Sequence, residues 1–365
     1  EATENFAATL AVNAGTVLGA RSFNVTDGAS GTISDNDTAT FTIADATASE
    51  EDGTMTFTIA LDKAIDTAIT LDVTFTADSA STSDFTSTTQ QITFPAGDNS
   101  SRMVMVPLTS DTIVEGDETF NVDLSVNTGM TPTGGRSINT VDGAVGTITD
   151  VDTATVNIAN VSDGAETDTP TDGQLRVTLS NASSTDTTVT YSVTGSATAD
   201  SDFTALLGSV TISANSTQAL IDVSVLTDDI VEDDESVIVT LTGFTARDPQ
   251  VTLGTTTAAT VNITDDDAAS ITIGDMSVTE GGDLTFTVST DKQIDTNVLV
   301  DVAFVDVSTE GVADFANSGQ QITLNANTSS QSVTVSTVND TVVEGTETLT
   351  ATISLPSQTL GNRGV

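Results

Sequence analysis

The stretch GTITDVDTATVNI, residues 146–158, ends one alternating strand in a pair of acids and resumes at once as another strand. It has counterparts in GTISDNDTATFTI at 31–43 and TVNITDDDAASITI at 260–273. The first acids of the three, Asp35, Asp150 and Asp265, stand 115 residues apart. Self-similarity at a fixed period is the signature of a tandem array. A second set of markers recurs in the same order. SDF occurs at 83–85 and 201–203, with ADF at 313–315. DTIVEGDETF at 111–120 returns as DDIVEDDESV at 228–237 and DTVVEGTETL at 340–349. Together the markers define repeats at 38–152, 153–267 and 268–365. Residues 1–37 match the tail of a repeat, GASGTISDND (28–37) against GAVGTITDVD (143–152).

Inside a repeat the apolar residues alternate with period two, the pattern of a half-buried strand. In repeat one, Met55, Phe57, Ile59 and Leu61 share a face, as do Ile69, Leu71, Val73 and Phe75. Ile92 with Phe94, Met103 with Met105, and Phe120, Val122, Leu124 and Val126 continue the series. Clusters of Gly, Asp, Asn and Ser separate the runs. The chain also carries 72 Thr, a β-branched residue suited to the wet face of a strand. No segment shows a 3.6-residue apolar stripe. The pattern predicts an all-β protein of tandem seven-stranded antiparallel sandwiches, joined by short links into a linear array.

Composition excludes several chemistries. Among 365 residues there is no Cys, no His and no Trp, and 8 Lys+Arg face 53 Asp+Glu for a net charge of −45. Disulfides, thiolate nucleophiles and His-based triads are absent. The charge repels phosphate backbones and anionic lipid, so neither nucleic acid nor a membrane surface is an expected partner. No run of about 18 apolar residues is present to insert into a bilayer. What such a chain attracts is cations.

Labelling the strands A to G, the A–B, C–D and E–F turns lie at one end of the sandwich, where G also finishes. Repeat one places Glu50 and Glu51 in its A–B turn, Asp84 in C–D, Asp111 in E–F, and Asp150 and Asp152 after G. Repeat two contributes Asp200, Asp202, Asp228, Asp229, Asp265, Asp266 and Asp267, and repeat three Glu280, Asp314 and Asp340. The N-terminal segment adds Asp35 and Asp37. Any one acid is adequately explained as a turn former, Asp52 beside Gly53 being an example. The recurrence of the C–D, E–F and post-G acids is not. Converging carboxylates repel unless a cation bridges them. Ca2+ takes six to eight oxygens in irregular geometry; Mg2+ demands a stricter octahedron, and zinc wants the nitrogen or sulfur this chain lacks.

These residues resemble a known family. VTEGG (278–282), SDF or ADF, ITFPAG (92–97), DTIVEGDETF and the terminal GTITD strand, in that succession, are similar to the Calx-beta domain. The resemblance spans essentially the whole chain. It implies a seven-stranded sandwich that binds Ca2+ through loops at one end, a module of sodium–calcium exchangers and of large bacterial surface proteins. Its ligands would fall on Glu50 or Glu51, Asp84 and Asp111; on Asp202, Asp228 and Asp229; and on Glu280, Asp314 and Asp340. Repeat two departs from the pattern, because its A–B region DGAETDTPTDG (163–173) is longer and contains Pro170, which leaves Glu166 unplaced.

Three functions fit these residues. First comes an extracellular, calcium-stiffened stalk or adhesin segment, whose partners are calcium and neighbouring repeats. A calcium-regulated sensor is second. A carboxylate glycosidase is third, since 13 Phe, one Tyr and no Trp supply few sugar-stacking rings. Repeat three shows strands A to F without G, while residues 1–37 resemble F and G. Such ends are expected first of a window cut from a longer repetitive chain; a head-to-tail filament, built by strand complementation between like chains, is the alternative.

Overall fold

The computed structural model describes residues 1–13, 19–127, 129, 135–246, 248–307, 314–316, 318–343 and 345–365. Ala313 of the ADF marker and Glu344 of DTVVEGTETL lie outside them. Among the described residues regular structure is strand, apart from one 3-10 turn at Glu50–Asp52. The chain forms two compact units, Glu1–Thr153 with Asp248–Gln250, and Ala154–Arg247 with Val251–Val365.

In the first unit, repeat one is a two-sheet sandwich. One sheet runs Ser137–Asn139, Thr38–Ile43, Thr54–Leu61, Arg102–Pro107; the other runs Ala46–Ser49, Gly143–Thr149, Glu118–Val126, Ile69–Ala77, Gln90–Phe94. The first strand of the repeat therefore splits. Its opening half joins one sheet, and Ala46–Ser49 crosses to pair in parallel with Gly143–Thr149 in the other. Even alternation of seven strands does not anticipate that crossing, and it matters for the site. Strand Glu4–Thr9 and strand Gly28–Ile33 form a separate antiparallel pair.

Core packing follows the alternation with one correction. Met55, Phe57 and Ile59 are buried against Val104 and Val106, whereas Met103 and Met105 are 69% and 56% exposed. The register pairs Phe57 with Val104 and Met55 with Val106, so the valines share the inward face and the methionines point out. Four phenylalanines gather near the acidic end: Phe120 lies 5.9 Å from Phe57, 6.4 Å from Phe75 and 4.2 Å, stacked, from Phe85. Gly146 is the small residue that admits this ring. A Cβ there would sit 2.5 Å from Phe120.

In the second unit, repeat two keeps the arrangement. Gln218–Val223, Gly173–Leu179, Ala154–Ser162 and Val251–Leu253 form one sheet. Gly164–Glu166, Ala258–Asp265, Glu235–Thr245, Thr187–Gly195 and Ser209–Ile212 form the other. Repeat three shows two three-stranded sheets among the described residues. The two repeats are joined by a short parallel pair, Ile230–Val231 with Gln293–Ile294, and Val231 packs into the core of repeat three.

Candidate metal centre

The strand crossing builds the site of repeat one. Parallel pairing of Thr149 with Ser49 carries the following residues, Asp150 and Glu50, to the same sheet end. Ser49 caps the short 3-10 turn, and Gly53, at φ 68°, ends it in the left-handed region that glycine tolerates. Asp150 is fixed by two backbone donors, the amides of Glu115 at 2.6 Å and Asp152 at 2.8 Å. Glu50 is only 5% exposed. One oxygen of each of Glu50, Asp150 and Asp152 lies within 4.8 Å of the other two. Glu50 Oε1 and Asp152 Oδ2 are buried with no hydrogen-bond partner. An orphaned buried carboxylate oxygen is costly unless something positive meets it.

A second group lies in the same repeat, formed by Asp84, Glu115 and Glu118, and repeat two repeats it as Asp202, Glu232 and Glu235. The aspartates are held by turn amides, Ser81 N–H donating to Asp84 at 2.6 Å and Thr198 N–H to Asp202 at 2.5 Å. Electrostatics agree with crowding. Burial, then the neighbouring Asp150, pushes Glu50 up to about 8. Burial and then Asp84 raise Glu115 and Glu118 to about 7. In repeat two, burial and then Asp202 lift Glu232 to about 7 and Glu235 to about 8, and burial followed by Asp228 lifts Glu166 to about 7. Asp152 and Asp265 also move up, chiefly through burial.

The other acids singled out from the sequence sit around these groups or away from them. Asp111, Asp228 and Asp340 each turn a carboxylate back onto the amide two residues on, at 2.7 Å in all three. Asp228 N–H donates to Glu166 and Asp340 N–H to Glu280, so the A–B and E–F turns meet in repeats two and three. Glu51 accepts from Ser110 Oγ at 2.7 Å. Asp265 accepts from the amides of Glu232 and Asp267. Asp314 has a buried, unpartnered Oδ2. Asp200 and Asp266 are exposed, Asp200 at φ 66° holding the Ala205 amide. Asp35 pairs with the N-terminal amine at 2.5 Å, Asp37 with Lys63 at 2.9 Å, Asp267 with Lys292, and exposed Asp229 with Lys292 at 3.6 Å.

Glu115, Glu118, Glu232 and Glu235 were not among the sequence candidates, although the phrases VEGDE and VEDDE repeat them at an i, i+3 spacing. The long A–B region hides the place of Glu166 in the sequence, yet Glu166 pairs in register with Asp265 and is 8% exposed. Its strand Gly164–Glu166 absorbs the insertion, because the extra residues loop out beyond it and return through an Ala165–Thr171 bridge. The donor set is all oxygen, buried in part, and short of partners. It fits a hard divalent cation.

Fold and site together define a class of tandem β-sandwich modules with carboxylate clusters where the loops converge. The Calx-beta domain model matches residues 33–161, 152–267 and 270–364, and the chain belongs to the Calx-beta domain family. No curated protein matches the chain at a significant level. Among solved structures, CBD12 from CALX1.2 is 17% identical with a TM-score of 0.28, over 61% of this chain and 98% of that one. A tetra-tandem repeat from the extending region of a large adhesion protein is 16% identical with a TM-score of 0.35, covering 87% and 74%. The structure concerned with host-cell surface retention of a 1.5-MDa bacterial ice-binding adhesin is 12% identical, TM-score 0.25, over 87% and 96%. No helix among the described residues is long and apolar enough to cross a membrane.

Proposed function

We propose that this chain is a calcium-binding structural segment of an extracellular surface protein, its repeats stiffened by ions held at their acidic ends. The observation that carries the reading is the Glu50–Asp150–Asp152 group, two of whose buried oxygens have no partner. Glu50, Asp150 and Asp152 would hold one ion; Asp84 with Glu115 and Glu118, and Asp202 with Glu232 and Glu235, would hold others. A bound ion would supply charge neutralisation at the end of the sandwich, where the A–B, C–D and E–F turns and the last strand meet. The chain's own part is to preorganise the oxygens, through backbone amides on Asp150, Asp84 and Asp202. Extracellular calcium modules work at millimolar ion, a range open to sites built partly from exposed turns. A glycosidase would need its acid pair in an aromatic cleft. Phe57, Phe85 and Phe120 are core residues instead.

Small-angle scattering tests the stiffening. Adding calcium to the full chain is expected to narrow the distribution of shapes and lengthen the maximum dimension, and chelation to reverse both. Scattering and melting temperature that ignore chelation would remove the proposal.

One feature favours strand complementation as a second reading. Repeat three carries a cleft of about 650 Å³ lined by apolar residues such as Phe286, Phe315 and Leu349 and by the acids Glu280, Asp314 and Glu347. It borders the strand Leu349–Ser354, whose counterparts in repeats one and two pair with Gly143–Thr149 and Ala258–Asp265. A peptide of residues 27–37, carrying the same GTI-type strand, is expected to bind there and raise the melting temperature. A peptide that shifts nothing at a hundred micromolar or so, weaker than about 5.5 kcal/mol of binding, excludes this reading.

A further inference from the structure

The chain has only 8 Lys+Arg, and two of them end a G-x-R phrase: Arg136 in GGR (134–136) and Arg363 in GNR (361–363). Each arginine stands just before a residue that pairs in parallel with the opening of its repeat, Ser137 with Thr38 and Gly364 with Ala268. Each also forks its guanidinium onto an aspartate of its own repeat. Arg136 donates to Asp66 at 2.5 and 2.9 Å, and Arg363 to Asp295 at 2.5 and 2.7 Å. A planar fork on a carboxylate fixes geometry as well as charge.

In repeat three the fork has a further occupant. Arg363 reaches Asp233 of repeat two at 3.5 Å, and the Asn362 amide donates to Asp233 Oδ1 at 2.8 Å. Asn362 Nδ2 donates to Asp234. Gly361, at φ 65°, lies against the same carboxylate, and a Cβ there would be 2.3 Å from Asp233 Oδ2. Both aspartates belong to the E–F phrase VEDDE (231–235). Beside them the Asp295 amide donates to the Val231 carbonyl at 3.1 Å, and Val231 is buried in the core of repeat three. The position recurs in repeat one. Phe6 pairs with Gly31 as Val237 pairs with Val261, two repeat lengths further on, so Ala2 stands where Asp233 stands. The Asp66 carboxyl is held below its ordinary range first by Arg136, and the Ala2 amide adds to the effect. The fork therefore meets the same E–F position of the preceding segment twice, each time inside one compact unit.

We propose that the forked Arg–Asp pair is a docking seat for the E–F turn of the preceding repeat, and that Asp233 in the Arg363–Asp295 seat latches repeats two and three together without metal. Asp233 and Asp234 are not members of the Asp202–Glu232–Glu235 group, so the latch and that candidate ion site share a turn without sharing a ligand. The Arg363 side chain is 15% exposed, and salt screens such a pair less than an open surface pair. The latch goes beyond the calcium reading and does not rest on it.

Because the chain has no Cys, one spin label can be placed in each repeat, at Leu220→Cys, 48% exposed, and at exposed Ser332→Cys. Pulsed electron resonance on the full chain in chelator reads the distances across the joint. The parent is expected to give one narrow distribution that calcium narrows no further. Asp233→Asn and Arg363→Gln are each expected to raise the ratio of open to closed distances about tenfold, the scale of one charge-assisted hydrogen bond. The double variant is expected to do less than the two effects multiplied, the mark of groups in one contact. Circular dichroism checks folding, and Asp233→Asn leaves the sequence of repeat three untouched. Arg102→Gln, which breaks the Arg102–Asp98 pair of repeat one, is the control expected to change nothing. A parent distribution that is broad in chelator and narrows only with calcium overturns the latch. So do variants that leave the distribution narrow, because Val231 alone would then hold the joint. Neither result bears on calcium binding, which scattering and melting read separately.

Discussion

Raising the pH from about 5 to about 8 is expected to lower the melting temperature of the metal-free protein, and millimolar calcium to abolish or reverse that fall. Glu50, Glu115, Glu118, Glu166, Glu232 and Glu235 all have folded values of about 7 or 8 against an ordinary 4.5, and burial is the leading cause in each. A group whose proton is held more tightly in the folded state adds stability that is complete below its unfolded value. That stability disappears as pH climbs through the folded value. The window for loss is therefore roughly pH 4.5 to 8. Asp98 runs the other way, held near 2 first by the Ser100 amide, but its effect lies below about pH 4. Calcium needs the deprotonated carboxylates, so its binding strengthens through the same window that weakens the metal-free fold. At a hundred times the dissociation constant, one ion adds about 2.7 kcal/mol. Scanning calorimetry at pH 5, 6.5 and 8, with chelator and with calcium, reads this directly. A metal-free melting temperature that rises across the range would contradict the crowded-carboxylate picture.

Much of the architecture is legible in the sequence because tandem β-sandwiches write two periods at once. The 115-residue spacing of Asp35, Asp150 and Asp265 marks the repeats, and the alternation at Met55–Leu61 and Ile69–Phe75 marks the strands. Less legible is what depends on contacts between strands distant in the chain. Met103 and Met105 fit the apolar alternation as well as Val104 and Val106 do, and only pairing with Phe57 and Met55 decides between them. The same holds at the site. Acids in turns were visible as turn acids, but Glu115 and Glu118 sit where a strand begins and look like solvated flanks. They become site residues because the C–D turn folds back over them, with Asp84 raising both. Lysine pairing was invisible for another reason. Asp37 and Asp152 have the same local sequence context, and the ammonium that Asp37 meets lies 26 positions beyond it, at Lys63.

Replacing Phe120 by alanine is expected to cost about 3–5 kcal/mol and to weaken calcium binding in repeat one as well. The ring is fully buried and touches Phe57, Phe75 and Phe85. Phe85 follows Asp84 and Phe120 lies two residues after Glu118, so the stacked pair supports two carboxylates of one group from below. Exposed Met105→Ala is the control, expected within about 0.5 kcal/mol of the parent. Denaturant titration and calorimetry of the same variants separate the effects, and an F120A protein that binds calcium normally would show that the strands alone position the acids. Repeat two suggests how the loss can be recovered. In repeat one Phe120 pairs in register with Gly146, and in repeat two Val237 pairs with Val261. The two repeats divide the same space as large with small or as medium with medium, and swaps that conserve volume are tolerated best. Phe120→Val alone leaves a cavity, and Gly146→Val alone drives a methyl into the Phe120 ring. The double variant is expected to be more stable than either single one. Recovery should stop short of the parent, because a side chain at Gly146 also meets Met55, 2.9 Å from its Cβ, where repeat two has the small Gly173 against Val261.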